Sequence, residues 1–304
     1  MKGLSVAVLL SVLSCAAARA EAPRVVASIK PLQALAAAVM DGVATPEVLI
    51  KGGGTVHAYA LRMSNAAVLS KAQVMFWIGP DFETFLVRPL KALGENARAV
   101  ALMDAPGIKI LPARAGGLWD TGEGNHAAPR GGRRDGHLWL DPDNAKTIVA
   151  IMAQTLSAAD PANAARYAGN ALAAAAQLDA LDGELRAKLA PVNAKPFVVF
   201  HDAYQYLEAH FGLRAVGAIT VNAKRAAGAR RVSQIKQQIG TAGPLCVFAE
   251  PQFEPKLVAM LIDGTDARTG VLDPEGSTLP AGPALYSNLM RGLADNLISC
   301  LETP

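Results

Sequence analysis

The feature that most limits how this chain can fold is a long helical pattern in its middle. Asp160-Pro161 reads as a helix start, an acid at the cap followed by proline at the first helical position. The Ala-rich body (Ala171, Ala173 to Ala176) then continues to about Leu189 with hardly a break. A straight helix of that length spans roughly 40 Å at 1.5 Å per residue, which suits a rigid connector better than a member of one sheet layer.

On each side of this connector, short β-branched runs alternate with helical patterns. Upstream, the strand candidates are 24–29, 46–50, 74–78 and 99–103, with helices over 32–40, 64–71 and 82–93. Downstream they are 196–200, 215–219, 245–249 and 269–272, with helices over 204–211, 233–239 and 255–262. Asp143-Asn144 is expected to cap a helix running through Ser157. Strand and helix in this rhythm predict parallel sheets covered by helices. The expected fold is α/β, with two lobes, 21–158 and 191–304, joined by one long rigid helix over 159–190. Each lobe should hold a mainly parallel four-stranded sheet with helices on both faces. The pattern fails only between 112 and 136, a Gly-, Arg- and Asp-rich polar loop longer than compact domains usually carry.

The first twenty residues read as a secretory signal. Lys2 supplies the positive end, Leu4 to Leu13 the apolar stretch, and Ala18-Arg19-Ala20 an A-x-A site with cleavage after Ala20. Lipid attachment at Cys15 is the alternative, since Val12-Leu13-Ser14-Cys15 loosely resembles a lipobox. Cleavage removes Lys2 and Arg19 from 29 basic against 26 acidic residues and leaves 27 to 26, so nothing points to nucleic acid. Two cysteines remain, Cys246 and Cys300. In an oxidising compartment an isolated pair is most simply a disulfide, with two buried thiols as the alternative.

The chemistry collects on histidine. Of five histidines, His57 and His201 lie at or shortly after expected strand ends, where ligands gather in open α/β sheets, and Asp273 does the same. His137 opens the segment that leads into the second half. Three imidazoles and a carboxylate suit zinc or another first-row divalent metal. His210, inside a helix, and His126, in the polar loop, stay outside this set. Manganese or iron(II) is the rival metal. Three histidines with an open position would also serve a zinc hydrolase, with Glu250 or Asp273 as base. The chain, however, holds no H-E-x-x-H motif and no nucleophile elbow.

Four stretches carry a resemblance: Val56-His57-Ala58-Tyr59, Gly136-His137-Leu138-Trp139-Leu140-Asp141-Pro142, Phe200-His201-Asp202-Ala203-Tyr204 and Glu250-Pro251-Gln252-Phe253. Together and in this order, the chain resembles the ZnuA-like periplasmic zinc-binding proteins of ABC importers. The resemblance implies two lobes with Zn2+ held in the cleft and delivered to an inner-membrane permease, with binding and no turnover. It implies His57, His137 and His201 as ligands, with Asp273 matching an aspartate that some relatives use. It further implies a Cys246–Cys300 disulfide, a monomer and an auxiliary zinc chaperone as a further partner. Asp202 and Glu250 are candidates to hold the far nitrogens of the imidazoles, and His126 is a candidate for accessory metal capture. Trp139 and Phe200 are expected to wall the site. The chain departs from the family at Val56, which cannot ligate where some relatives have an acid, and in the arginine-rich loop.

Overall fold

The computed structural model describes residues 21–52, 56–93, 97–114, 132–220, 228–242, 246–253 and 256–302. The signal segment, Cys15 and His126 lie outside the described residues. Two four-stranded sheets form, one from each half. Strands β1 (Val25–Ala27), β2 (Glu47–Val48), β3 (Val74–Trp77) and β4 (Arg98–Ala101) order as β2-β1-β3-β4. Strands β5 (Pro196–His201), β6 (Arg214–Thr220), β7 (Cys246–Ala249) and β8 (Arg268–Val271) order as β6-β5-β7-β8. Every pairing is parallel. The two sheets therefore share one order, and each reverses direction beside its first strand. Such a switch point opens a crevice at the carboxyl ends of the strands.

The period of two along each strand divides the core. In the first sheet, Val25, Ala27 and Phe76 face inward, while Val26, Met75 and Trp77 face an outer layer with Leu69, Leu86 and Leu90. In the second sheet, Phe197, Val199 and Phe248 face inward, and Val198, Phe200 and Val247 face outward. Both inward faces join one continuous core with helices α1 (Lys30–Val39), α4 (Pro142–Ala159), α5 (Ala164–Leu189) and α9 (Leu285–Leu301). The remaining helices, α2 (Met63–Leu69), α3 (Val87–Leu93), α6 (Gln205–Phe211), α7 (Ala229–Ala242) and α8 (Lys256–Ile262), complete the two lobes. The connector α5 buries Tyr167, Ala174, Leu178, Leu181, Leu185 and Leu189, a heptad-like stripe against α1, α4 and α9.

Several boundaries differ from the sequence-based expectation. Helix α4 starts at Pro142, capped by Asp141, whose carboxylate accepts from the Asp143 N–H at 2.9 Å. Proline at the first position makes Asp141 the better cap than Asp143 or Asn144. Asn144 turns instead to Lys109, accepting its N–H and donating to its carbonyl. Asp160 does not cap α5. Its carboxylate binds Asn163 and Tyr167, and a 3-10 turn over Pro161–Asn163 delays the α-helix to Ala164. The helix expected over 82–93 splits into a 3-10 turn, Thr84–Leu86, and α3. The split puts Pro89 in the first turn of α3, where its missing N–H costs nothing. Helix α9 was not anticipated, although Leu285, Leu289, Leu293 and Leu297 recur every four residues. Cys300 on α9 bonds to Cys246 on β7 across the inner face of the second sheet.

Candidate metal centre

Three unrelated pieces of backbone bring three histidines together. His57 sits in a 3-10 turn, Val56–Ala58, after β2. His137 precedes the 3-10 turn Leu138–Leu140, which feeds α4. His201 is the last residue of β5, the central strand at the switch point of the second sheet. Gly136 lies against Phe82: a Cβ built there would fall 2.3 Å from the phenyl ring. The glycine lets Phe82 pack edge-on to both His57 and His137, at centroid distances of 4.9 and 5.0 Å.

The three Nε2 atoms converge. His137 Nε2 lies 3.3 Å from His57 Nε2 and 3.3 Å from His201 Nε2, and one ligand atom from each residue falls within 4.8 Å of the others. Tetrahedral zinc with Zn–N bonds of 2.0–2.1 Å separates its nitrogen ligands by about 3.3–3.4 Å. The two separations of 3.3 Å match that spacing.

Hydrogen bonds on the far side of two rings set their direction. His137 Nδ1 lies 2.7 Å from Asp135 Oδ1, and His201 Nδ1 lies 2.6 Å from Glu250 Oε1. The same carboxylates accept the backbone N–H of their histidine. A carboxylate can only accept, so Nδ1 carries a proton on both rings and Nε2 is directed inward, with its lone pair free wherever the ring is neutral. Lone pairs pointed at one another repel unless a cation lies between them. Burial, with His201 nearby, holds His137 well below the usual imidazole range, which keeps it neutral. For His201, burial works downward, but Glu250, Glu275 and Asp202 outweigh it and hold the ring above that range. Burial pushes Asp135 up to about 7 against the pull of the His137 N–H, Arg114 and His201.

The other residues singled out from sequence fall in different places. Glu250 holds the far nitrogen of His201. Asp202 does not touch an imidazole; it pairs with Arg114, which also binds Glu208 at 2.8 and 3.0 Å. Asp273 lies outside the cluster of converging ligand atoms. Its Oδ1 accepts from Gln252 Nε2 and from the Glu275 N–H, both at 3.1 Å, and its Oδ2 from Ser277 Oγ at 2.7 Å. Trp139 packs 5.4 Å from the His137 ring. Phe200 does not wall the site: it points outward and stacks on Phe253, and Phe253 is what reaches His201. Sequence reasoning passed over Asp135, Phe82 and Glu275. Asp135, two residues before a candidate ligand, was open to inference, whereas Phe82 and Glu275 come from distant segments. Burial pushes Glu275 up to about 8, with His201 opposing and Asp273 and Glu250 adding to the rise.

Among the described residues a second convergence involves Asp141, Asp143 and His210. Cations of the protein already occupy it. Lys109 binds Asp141 at 3.2 Å, Lys146 binds Asp143 at 2.9 Å, and Arg186 binds Asp182, the other partner of His210, at 3.2 Å. That cluster is an ion-pair network, while the three-histidine site faces a cavity of about 460 Å3 whose lining includes Arg114, Arg133 and Arg134.

Comparison with known proteins gives one answer by three routes. The family model "ZnuA: Zinc-uptake complex component A periplasmic" matches residues 25–300. The high-affinity zinc uptake system protein ZnuA of Brucella suis biovar 1 (strain 1330) is 46% identical over 305 residues, covering 91% of each chain. Its counterpart in Paracoccus denitrificans (strain Pd 1222) is 37% identical, covering 93% of each. A crystal structure of ZnuA superposes with a TM-score of 0.78 at 25% identity, over 92% of this chain and 99% of that one. The periplasmic zinc-binding protein TroA of Treponema pallidum, at 19% identity and a TM-score of 0.78, shares the fold.

Proposed function

The chain belongs to the ZnuA family of periplasmic zinc-uptake components, and from that membership we propose that His57, His137 and His201 capture the Zn2+ that it carries. It is an extracytoplasmic zinc-binding protein that works with the permease and ATPase of an ABC importer. Zinc is its cargo, and it is not an enzyme. The observation that supports the ligand set is the 3.3 Å spacing of the Nε2 atoms, backed by carboxylates that turn two of the rings inward. Three imidazoles favour zinc over manganese, which suits carboxylate, carbonyl and water ligands.

The finer parts of this reading follow. Residues 21–158 and 191–304 act as the two lobes, with 159–190 as connector, and the signal is removed after Ala20. The protein works as a monomer and can accept zinc from an auxiliary chaperone. His126 gives accessory metal capture. Asp273, included in the ligand set from sequence, is better employed in holding its own turn, since three donors already occupy its oxygens.

The test is a competitive titration of the chelator-stripped mature protein with zinc and manganese, repeated for His201→Ala. One equivalent of tightly held zinc, weak manganese binding and a loss of at least about 100-fold in the variant are expected, a removed ligand costing no less than an outer-shell partner. Equal manganese binding would overturn the choice of cargo. An unaffected variant would overturn the site.

A further inference from the structure

Lys30 goes against two local preferences. It is the first residue of α1, at the positive end of the helix, and no acid stands in that first turn. It is also buried, and a buried ammonium costs free energy unless its donors are answered. The answer comes from the second lobe. Lys30 Nζ donates to the carbonyls of Ser277 and Leu279 at 2.7 and 2.9 Å, with the Gly276 carbonyl at 3.4 Å. All are backbone oxygens, and among the described residues no carboxylate forms an ion pair with this lysine. A residue that its own helix disfavours is thus retained by a tertiary contact.

The three carbonyls belong to 274–282, the segment that follows β8, and the first lobe also holds both ends of it. Trp139 Nε1 donates to the Pro274 carbonyl at 2.8 Å, and Gln33 Oε1 accepts the Gly282 N–H at 3.0 Å. Lys30 and Gln33 both project from α1, so the segment is a strap tied across the lobes. It abuts both stretches of the first lobe that bear ligands. Trp139 packs 5.4 Å from the His137 ring. A Cβ built at Gly52, on the stretch that leads to His57, would lie 3.3 Å from the Ser277 carbonyl oxygen and 3.7 Å from Lys30 Nζ. Thr278, Pro280 and Ala281 are exposed. A segment held mainly by polar contacts at the surface can loosen without opening the core.

We propose that Lys30 is a positioning residue for zinc binding: by clasping the strap 274–282 it holds the segments that carry His57 and His137 in their ligating arrangement, and release of the clasp is the local shift that loosens the ion. Lys30 acts through Gly52 and Trp139, not on the ion. Such coupling is reciprocal. If a closed strap favours bound zinc, bound zinc favours a closed strap by the same factor. The proposal rests on the three-histidine reading above.

The experiment follows amide hydrogen exchange across 274–282 in the mature protein, stripped by chelator and zinc-loaded, with the Gly282 N–H as direct reporter of the strap. Zinc affinity of wild type, Lys30→Met and His201→Ala is read by chelator competition, and folding by thermal unfolding without metal. Coupling between linked sites of this kind amounts to about 2- to 30-fold. Zinc is expected to slow exchange in the wild-type strap by a factor in that range. Lys30→Met, which keeps the stem and removes the ammonium, should lose a like factor in affinity and lose the zinc-dependent protection of Gly282. A lysine with only a structural role would lower the metal-free unfolding temperature and leave that protection in place. Wild-type strap exchange that ignores zinc would overturn the proposal, whether or not the variant folds. Native affinity or retained protection in Lys30→Met would overturn it as well. Failure of the underlying site would look different: His201→Ala would then bind zinc as wild type does.

Discussion

Two of the three proposed ligands are oriented by a neighbouring carboxylate. His201 alone could present either ring nitrogen; Glu250, at 2.6 Å from Nδ1 and also bonded to the His201 N–H, turns Nε2 toward the centre. Glu250→Gln keeps an acceptor but removes the charge, and zinc affinity should fall 10- to 100-fold by chelator competition. No change would mean that packing alone orients the ring. Gly136 acts through shape. In Gly136→Ala the added methyl meets the Phe82 ring that supports both His57 and His137. Unfolding by denaturant should show a loss of about 1–3 kcal/mol from overpacking, accompanied by weaker zinc binding. Stability lost without any change in zinc binding would separate Phe82 from the site.

At the level of elements, the C-terminal helix and the connector carry much of the architecture. The Cys246–Cys300 bond closes a sequence separation of 54 residues between β7 and α9. Chain entropy gives such a closure about 4 kcal/mol, with 2–4 typical. The double Cys→Ser variant should lose stability in that range, read by denaturant unfolding. Helix α6 is tied to α4 and α5 through His210, whose side chain lies 3.1 Å from Asp141 and 2.6 Å from Asp182. Asp143 stands at 3.7 Å, and Arg186 approaches the same ring from α5 at 3.0 Å. Burial works against the charged ring, but the Asp141 and Asp182 bonds outweigh it and raise its affinity for the proton. A raised value stabilises the fold fully below the ordinary imidazole range, and the contribution is lost as pH climbs through the raised value. The gap in melting temperature between wild type and His210→Gln should therefore be widest near pH 5.5 and narrow toward pH 8.5. A gap constant with pH would show that the pairing does not depend on the proton.

For the whole molecule, the decisive fact is that the two lobes do not have separate inner cores. The inward faces of both sheets and helices α1, α4, α5 and α9 belong to one continuous apolar cluster. A wide hinge opening would expose that shared apolar surface, at about 25 cal/mol per Å2. Metal-free and zinc-loaded protein should accordingly give nearly the same radius of gyration by small-angle X-ray scattering, and zinc should leave through small local shifts. Arg114 reinforces the closed form from the base of the polar loop, binding Asp202 and Glu208 of the second lobe with all three side chains buried. Removing one partner of a buried ion pair costs about 3–5 kcal/mol, so Arg114→Met should unfold at markedly lower denaturant. An unchanged midpoint would mean that the two acids find other partners.

Much of this was open to reading along the chain, because it depends on neighbours in sequence. The eight strands, the parallel rhythm and the long Ala-rich connector follow from local periodicity and breakers. Four short motifs sufficed to single out His57, His137 and His201. Local competition misled at two starts: Asp143 was favoured over Asp141 as the cap of α4, and Asp160 over Asn163 at α5, because cap propensity does not say which partners a side chain will find in space. The tertiary structure alone decided the surroundings of the site. Phe82 supports the histidines, Phe253 takes the place expected of Phe200, Arg114 claims Asp202, and Gln252, Ser277 and the Glu275 N–H claim Asp273. These contacts join segments separated by tens to hundreds of residues, and no periodicity or spacing encodes them. They arise only when two sheets share one core and bring their strand ends together.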